Sequence, residues 1–238
     1  MSLRSFSLAR LPPYVSRWIG YRSKTPDKLP FYIIAFWSFV GAFGAMSILQ
    51  AIFTHANTFK DRHVPAIVGS FAASAILCYG AIESPLAQPR AVLGGHFIAA
   101  LTGVCIYKLF ALSSRIDDIR WVSASIACGL ALVAMAATGT THPPAGATAL
   151  LASTEEGIIA IGWYYIPVVL LSSVIVVCVA LFVNNIQRRY PVFWFRPAIS
   201  IPAPVEKELG APDASTEGSQ TSSDRSSADK EVSADQIV

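Results

Sequence analysis

The sequence predicts an all-α fold, a polytopic helical membrane bundle, and three observations predict it. Only 14% of the 238 residues are charged and 53% are hydrophobic, whereas roughly a quarter of a soluble domain is charged. The apolar residues fall in blocks: 31–53, 64–82, 121–138 and 158–183 carry no charge, and 91–112 carries only Lys108. Each block comes close to or exceeds the ~20 residues that a helix needs to cross the hydrocarbon core. Third, a polar, proline-broken stretch, Thr141-His142-Pro143-Pro144-Ala145-Gly146-Ala147-Thr148, lies between two such blocks. Non-helical backbone persists at that depth only where it is packed in protein or lines a polar cavity.

In chain order, residues 1–30 form a basic arm, with Arg4, Arg10, Arg17, Arg22, Lys24 and Lys28 against Asp27 alone. Two readings stay open for it. It is a cytoplasmic-side arm with Tyr14, Trp18 and Tyr21 at the bilayer interface, or its Arg- and Ser-rich start is an organellar transit peptide. Residues 31–197 are the transmembrane domain. Its last apolar run is followed by Arg188, Arg189 and Arg196 among Tyr190, Phe193, Trp194 and Phe195, an expected aromatic-basic interface anchor. Basic flanks at both ends predict that both termini face the same, cytoplasmic-equivalent side, which requires an even number of crossings. Residues 198–238 are acidic and Ser-rich, without an aromatic residue, and predict a disordered tail.

The domain reads as two repeats of three helical elements with proline-broken middle elements. Phe71-Ala72-Ala73-Ser74-Ala75-Ile76-Leu77 aligns with Ala145-Gly146-Ala147-Thr148-Ala149-Leu150-Leu151, and each follows a proline entry, Val64-Pro65 or His142-Pro143-Pro144. Two topologies satisfy the even count. Either the middle elements re-enter and leave on one side, for four crossings, or they cross as broken helices, for six. The 64–82 block, at roughly 28 Å if wholly helical, is long enough to cross.

The chemistry is expected at the broken elements. Proline suits the first position of a helix, so Pro143 and Pro144 would open one with Thr141 or His142 at its cap. The amides of Ala145, Gly146 and Ala147, together with the helix dipole, would then form an anion nest, with hydroxyls from Thr140, Thr141 and Thr148 beside it. Gly69-Ser70 and Ser74 offer a second, weaker helix start after Pro65, where small residues also suit close helix packing. Arg90 would bias the field toward anions or snorkel to the interface. His96, inside an apolar run, is a substrate or proton ligand by default, with a structural hydrogen bond as the alternative. Gly94-Gly95 suggests close packing.

Other chemistries find no residues. Cys78, Cys105, Cys128 and Cys178 stand singly in apolar runs and read as small core residues. His55, His63, His96 and His142 show no metal-binding spacing. The expectation is therefore no metal, no cofactor and no enzymatic activity. A P-loop, a nucleophile elbow and a paired intramembrane carboxylate are likewise missing from the sequence.

Three segments carry a resemblance. Thr141 to Ala152 around His142-Pro143-Pro144, Gly69-Ser70-Phe71-Ala72-Ala73-Ser74-Ala75, and Ser84-Pro85-Leu86-Ala87-Gln88-Pro89-Arg90-Ala91-Val92-Leu93-Gly94-Gly95-His96 resemble the HPP family of integral membrane proteins. The similarity covers about 64–183 and, more loosely, 14–53. Ala72 stands where the family often has glycine. The tail and the 14–22 arm are similar to those of fungal members. The resemblance implies four membrane spans and, from members of cyanobacteria and plant chloroplasts, nitrite transport. The expected function is thus a passive or proton-coupled permease for a small monovalent anion, nitrite first, with His96 or His142 coupling the proton. Its expected partners are that anion and membrane lipid, not nucleic acid, and homo-oligomerisation stays open. The alternative is a membrane scaffold without transport.

Overall fold

The computed structural model describes residues 12–20 and 29–195. The expected tail at 198–238, Arg196 and most of the basic arm lie outside the described residues. Helix α1 is Pro13–Trp18, α2 is Phe31–His55, and α3 is the short turn Asn57–Lys60. Helix α4 runs over Ser70–Gly80, its last five residues wound as a π-turn. Then come α5 (Pro89–Phe110), α6 (Ile116–Thr138), α7 (Pro143–Thr154), α8 (Glu156–Ile161) and α9 (Tyr165–Gln187). The described residues hold no strand.

Four helical stretches are long and apolar enough to cross a membrane: α2, α5, α6 and the run Glu156–Gln187 that contains α9. The two middle elements are shorter. The 64–82 block is not one helix: Val64 to Gly69 stays outside regular helix, and α4 begins only at Ser70. Pro65 supplies no amide donor and biases the residue before it away from helix. At 1.5 Å per residue α4 and α7 are each about 17 Å long, too short to cross alone.

Side-chain contacts fix which ends lie together. At one end Trp37 bonds Gln187, Ser38 bonds the Tyr79 carbonyl, and Arg90 bonds the carbonyls of Thr138 and Phe195. At the other, Phe59 packs on Phe53 and Tyr164, Ser123 bonds Ser153, and Arg120 approaches Glu156. Helix α2 therefore ends opposite the end where α5 begins, and α6 ends opposite the end where α8 begins. The chain must traverse the bundle between α2 and α5, and again between α6 and α8. Each passage is a short irregular stretch followed by a short helix, α4 and α7 respectively. The path thus runs end to end six times, with four long helices and two broken ones.

Glycines set the packing of α5. A Cβ at Gly94 would stand 2.7 Å from Thr140 Cγ2, at Gly95 2.8 Å from both His142 Cβ and the Thr140 carbonyl, and at Gly103 2.6 Å from the Ala149 carbonyl. The 140–152 segment therefore lies directly on the α5 backbone. Helix α6 stops at Gly139, whose φ of +63° is the left-handed conformation that closes a helix. The chain can then turn back into the bundle.

The anchor expected after α9 is instead partly interior. Tyr190 is fully buried and donates to the Ala87 carbonyl at 2.7 Å, and Arg188 is buried as well. Trp194 donates to the Ile19 carbonyl, and Phe195 is exposed. The reason is unmade hydrogen bonds: Arg188 and Tyr190 supply donors to carbonyls that short helices and turns leave open. Of the four cysteines only Cys78 is core. Cys128 is half-buried, and Cys105 and Cys178 are exposed on outward helix faces.

Candidate functional site

Helices α4 and α7 run toward opposite ends of the bundle, and their N-terminal halves lie side by side. Ser70 Oγ is 2.7 Å from Thr148 Oγ1, and Ser74 Oγ is 2.9 Å from His142 Nε2. His96 of α5 completes the junction. Its Nε2 is 2.8 Å from Ser74 Oγ and its Nδ1 is 2.8 Å from Thr148 Oγ1. The Phe71 ring stacks on His96 at 4.3 Å between centroids, and the His142 ring meets its edge at 4.9 Å. His142 Nδ1 is 2.8 Å from the Leu86 carbonyl. Both histidines, Ser74 and Thr148 are 0% exposed. His96 lies seven residues into α5, about 10 Å from its start, so the junction is well inside the bundle.

The proton positions follow from one carbonyl. Leu86 O can only accept, so His142 Nδ1 carries the hydrogen. Among the described residues no carboxylate is hydrogen-bonded to either ring, and a buried imidazolium without a counter-charge is costly. With His142 neutral, its Nε2 accepts, so the Ser74 hydroxyl donates to it. Ser74 must then accept from His96 Nε2–H, and its hydroxyl has a second, longer acceptor in the Ser70 carbonyl at 3.3 Å. His96 Nδ1 accepts from Thr148, whose oxygen accepts from Ser70. Five side chains form one directed chain in which both rings keep all their hydrogen bonds. Running the chain the other way with the same number of protons would set bare His142 Nδ1 against the Leu86 carbonyl, at a cost of about 1–3 kcal/mol.

The anion nest predicted at the start of α7 is not formed. His142 is the N-cap, and Pro143 and Pro144 fill the first two positions; neither has an N–H. The Ala145 amide donates to the His142 carbonyl at 2.9 Å. Helical continuity from Pro143 commits the amides of Gly146 and Ala147 to the carbonyls four residues back. The side chains disperse too. Ala145 is buried among Ala99, Ala127, Ala131, Met135 and Ala149. Gly146 faces Cys128, Ala147 is exposed, and Thr141 is half-buried. Pro143 is exposed and Pro144 buried.

Of the thirteen sequence candidates, the structure thus brings together Ser70, Ser74, His96, His142 and Thr148. Gly69 caps α4 and is exposed. Arg90 lies apart, on the carbonyls of Thr138 and Phe195.

Sequence reasoning missed four residues that hold this arrangement. Tyr165 donates to the Thr148 carbonyl at 3.1 Å. Gln88 donates to the carbonyls of Ile82 and Ser84 and accepts from the Val192 amide, fixing the turn that presents Leu86. Asn184 donates to the Cys78 carbonyl and Arg188 to the Tyr79 carbonyl, both at 2.9 Å, capping the C-terminus of α4. Burial lowers the Arg188 guanidinium below its ordinary value and raises the Tyr190 phenol above its own. The signal in the sequence was polarity at the edge of an apolar run, Gln88 before α5 and Asn184 and Arg188 after the last run, where Arg188 reads as an interface residue; Tyr165, inside that run, gave none.

Among the described residues no group of three or more His, Cys, Asp or Glu side chains is placed to hold a metal ion.

The comparisons agree with this architecture. The family model described as the HPP transmembrane region matches residues 28–191. Two transmembrane proteins of Dictyostelium discoideum are similar over 185 residues: one is 32% identical, covering 76% of this chain and 63% of the relative, and the other is 36% identical, covering 76% and 57%. The chain therefore spans less than two thirds of the length of these relatives. No solved structure matches.

Proposed function

The chain belongs to the HPP transmembrane family, and from that premise and the buried junction we propose that it is a multi-pass permease for a small monovalent inorganic anion. One observation carries the reading: two oppositely running short helices overlap through their N-terminal halves around two buried histidines. Helix N-termini carry partial positive charge. In transport proteins, broken helices of this kind place it where an anion must shed water. Hydroxyl and imidazole groups are the donors at hand, in place of the backbone nest. Nitrite is the first candidate by family resemblance. Arg90, about two turns of α5 from His96, contributes long-range positive potential.

A second reading, a scaffold without transport, is favoured by one observation. Ala145 is sealed in an alanine- and methionine-lined cluster, and the hydrogen bonds of both histidines are filled from within. Nitrite flux into liposomes holding the purified protein separates the two. The permease admits nitrite faster than empty liposomes do, and His142→Ala, verified as folded by size-exclusion, loses that excess. Flux equal to that of empty liposomes removes the permease and leaves the scaffold, and an excess unchanged in His142→Ala removes the junction from the pathway.

A further inference from the structure

Resting on the permease reading, we propose that the Ser70–Thr148–His96–Ser74–His142 chain binds one proton taken up with each anion, so that the two cross as a neutral pair. The hydrogen-bond geometry carries the inference. In the neutral chain every bond between these side chains, and the last to the Leu86 carbonyl, points from Ser70 toward Leu86, and the five side chains hold five exchangeable protons between them; the Ser70 carbonyl, 3.3 Å from Ser74 Oγ, is a longer second acceptor for that hydroxyl. Adding a sixth lets every side-chain bond reverse without breaking. His142 then donates from both nitrogens, to the Leu86 carbonyl and to Ser74 Oγ. Ser74 donates to His96 Nε2, and His96 Nδ1 donates to Thr148. Thr148 in turn donates to Ser70. One proton enters, each bridging hydrogen shifts by one bond, and a single positive charge rests on His142. No other group gains or loses a proton, and no electron moves.

The surroundings make that charge a counter-charge. Phe71 of α4 stacks on His96, and Met135 of α6 approaches at Gly95. From α9, Tyr165 faces the junction with its hydroxyl donated to the Thr148 carbonyl. The guanidinium of Arg90, in the first turn of α5, is engaged by the carbonyls of Thr138 and Phe195. Among the described residues no carboxylate and no Lys or Arg side chain is hydrogen-bonded to the five. A neutral junction in an apolar interior holds a monovalent anion poorly. The same junction with one proton holds it as a pair, without a net charge to bury.

The test reads a ratio, so that a slow variant still reports. Full-length protein is placed in neutral-lipid liposomes loaded with a pH dye and pulsed with sodium nitrite, and the passive entry of nitrous acid in empty liposomes is subtracted. The expected result is one proton delivered to the lumen per nitrite. Ser74→Ala, which interrupts the chain between the rings, abolishes proton delivery per nitrite, and Ser74→Thr, which keeps the hydroxyl, restores it. Nitrite entry without protons, or a wild-type ratio in Ser74→Ala, overturns the proposal and leaves the permease standing. Absence of nitrite entry overturns both. Nitrogen-15 NMR of the histidines checks the chain without transport. His142 is protonated on Nδ1 and His96 on Nε2 in the resting protein, and the opposite tautomer on either ring overturns the relay.

Discussion

Helices α4 and α7 are similar in length and both begin inside the bundle, but they are held in place at opposite ends. Helix α7 is fixed where it begins. Two prolines pre-set its first turn, and the α5 glycines let its backbone and its approach lie flat on α5. Helix α4 has no proline at its start and nothing close to Gly69. It is fixed where it ends, with Ser38, Asn184 and Arg188 occupying the carbonyls of Cys78 and Tyr79. A cation at a helix C-terminus also complements the helix dipole. Between the two start regions, the side-chain bonds are those of hydroxyls and imidazoles. The contrast teaches that the two short helices are seated by different devices, α7 by close backbone packing at its start and α4 by side-chain donors at its end.

The largest effect is expected where α7 rests on α5. Gly103→Val places a branched side chain against the Ala149 carbonyl and Ala152 Cβ, 2.6 and 2.8 Å from the first added atom. Backbone cannot yield as a side-chain tip can, so the cost is about 3 kcal/mol, the upper part of the overpacking range. Thermal unfolding in detergent measures it. A melting temperature equal to wild type means that α7 is not seated by α5.

Arg188→Met tests the other anchorage. It removes the charged donor from the Tyr79 carbonyl and from Asn184 Oδ1. The Tyr79 carbonyl keeps Ser38, but leaving Asn184 Oδ1 unsatisfied costs about 1–3 kcal/mol, and amide hydrogen exchange localises the loss: amides of 76–81 should exchange faster while those of 145–154 stay as they were. Equal loosening of both helices would erase the distinction between them. Tyr190→Phe is the milder form. It deletes the hydroxyl that donates to Ala87, for about 1 kcal/mol, measured in the same unfolding assay.

The contrast also explains what could be read from the chain. Apolar blocks marked the four long helices, because lipid demands length and apolarity and both are visible in one dimension. Pro143-Pro144 marked the start of α7, because proline acts locally. The 64–82 block was legible as a proline-broken element long enough to cross, with Pro65 marking the break and Gly69-Ser70 the start of its helix. The letters Ser70, Ser74, His96, His142 and Thr148 stood out as polar residues in apolar runs, but their pairing spans up to 78 residues, and no local pattern encodes which hydroxyl meets which imidazole. The predicted amide nest failed for a local reason, since the helix that the prolines start already commits the amides of Ala145, Gly146 and Ala147 to its own carbonyls. Arg188 and Tyr190 looked like interface residues because basic and aromatic residues after an apolar run usually are; open carbonyls on α4 and at Ala87 draw them inside.

The smallest effect separates glycines that are needed from one that is not. Gly69 has φ −55° and ψ −26°, which any residue adopts, and a Cβ there would meet nothing within 4 Å. Gly69→Ala should therefore stabilise the protein by about 0.4–1 kcal/mol, because alanine narrows the unfolded chain's freedom without clashing in the folded one. Gly95→Ala, with its Cβ 2.8 Å from the Thr140 carbonyl and from His142 Cβ, should do the reverse and shift the ring that anchors the junction. Melting temperatures of the two variants decide it. A loss of stability in Gly69→Ala would mean that the start of α4 needs glycine after all, for an approach that the closed packing of this conformation does not use.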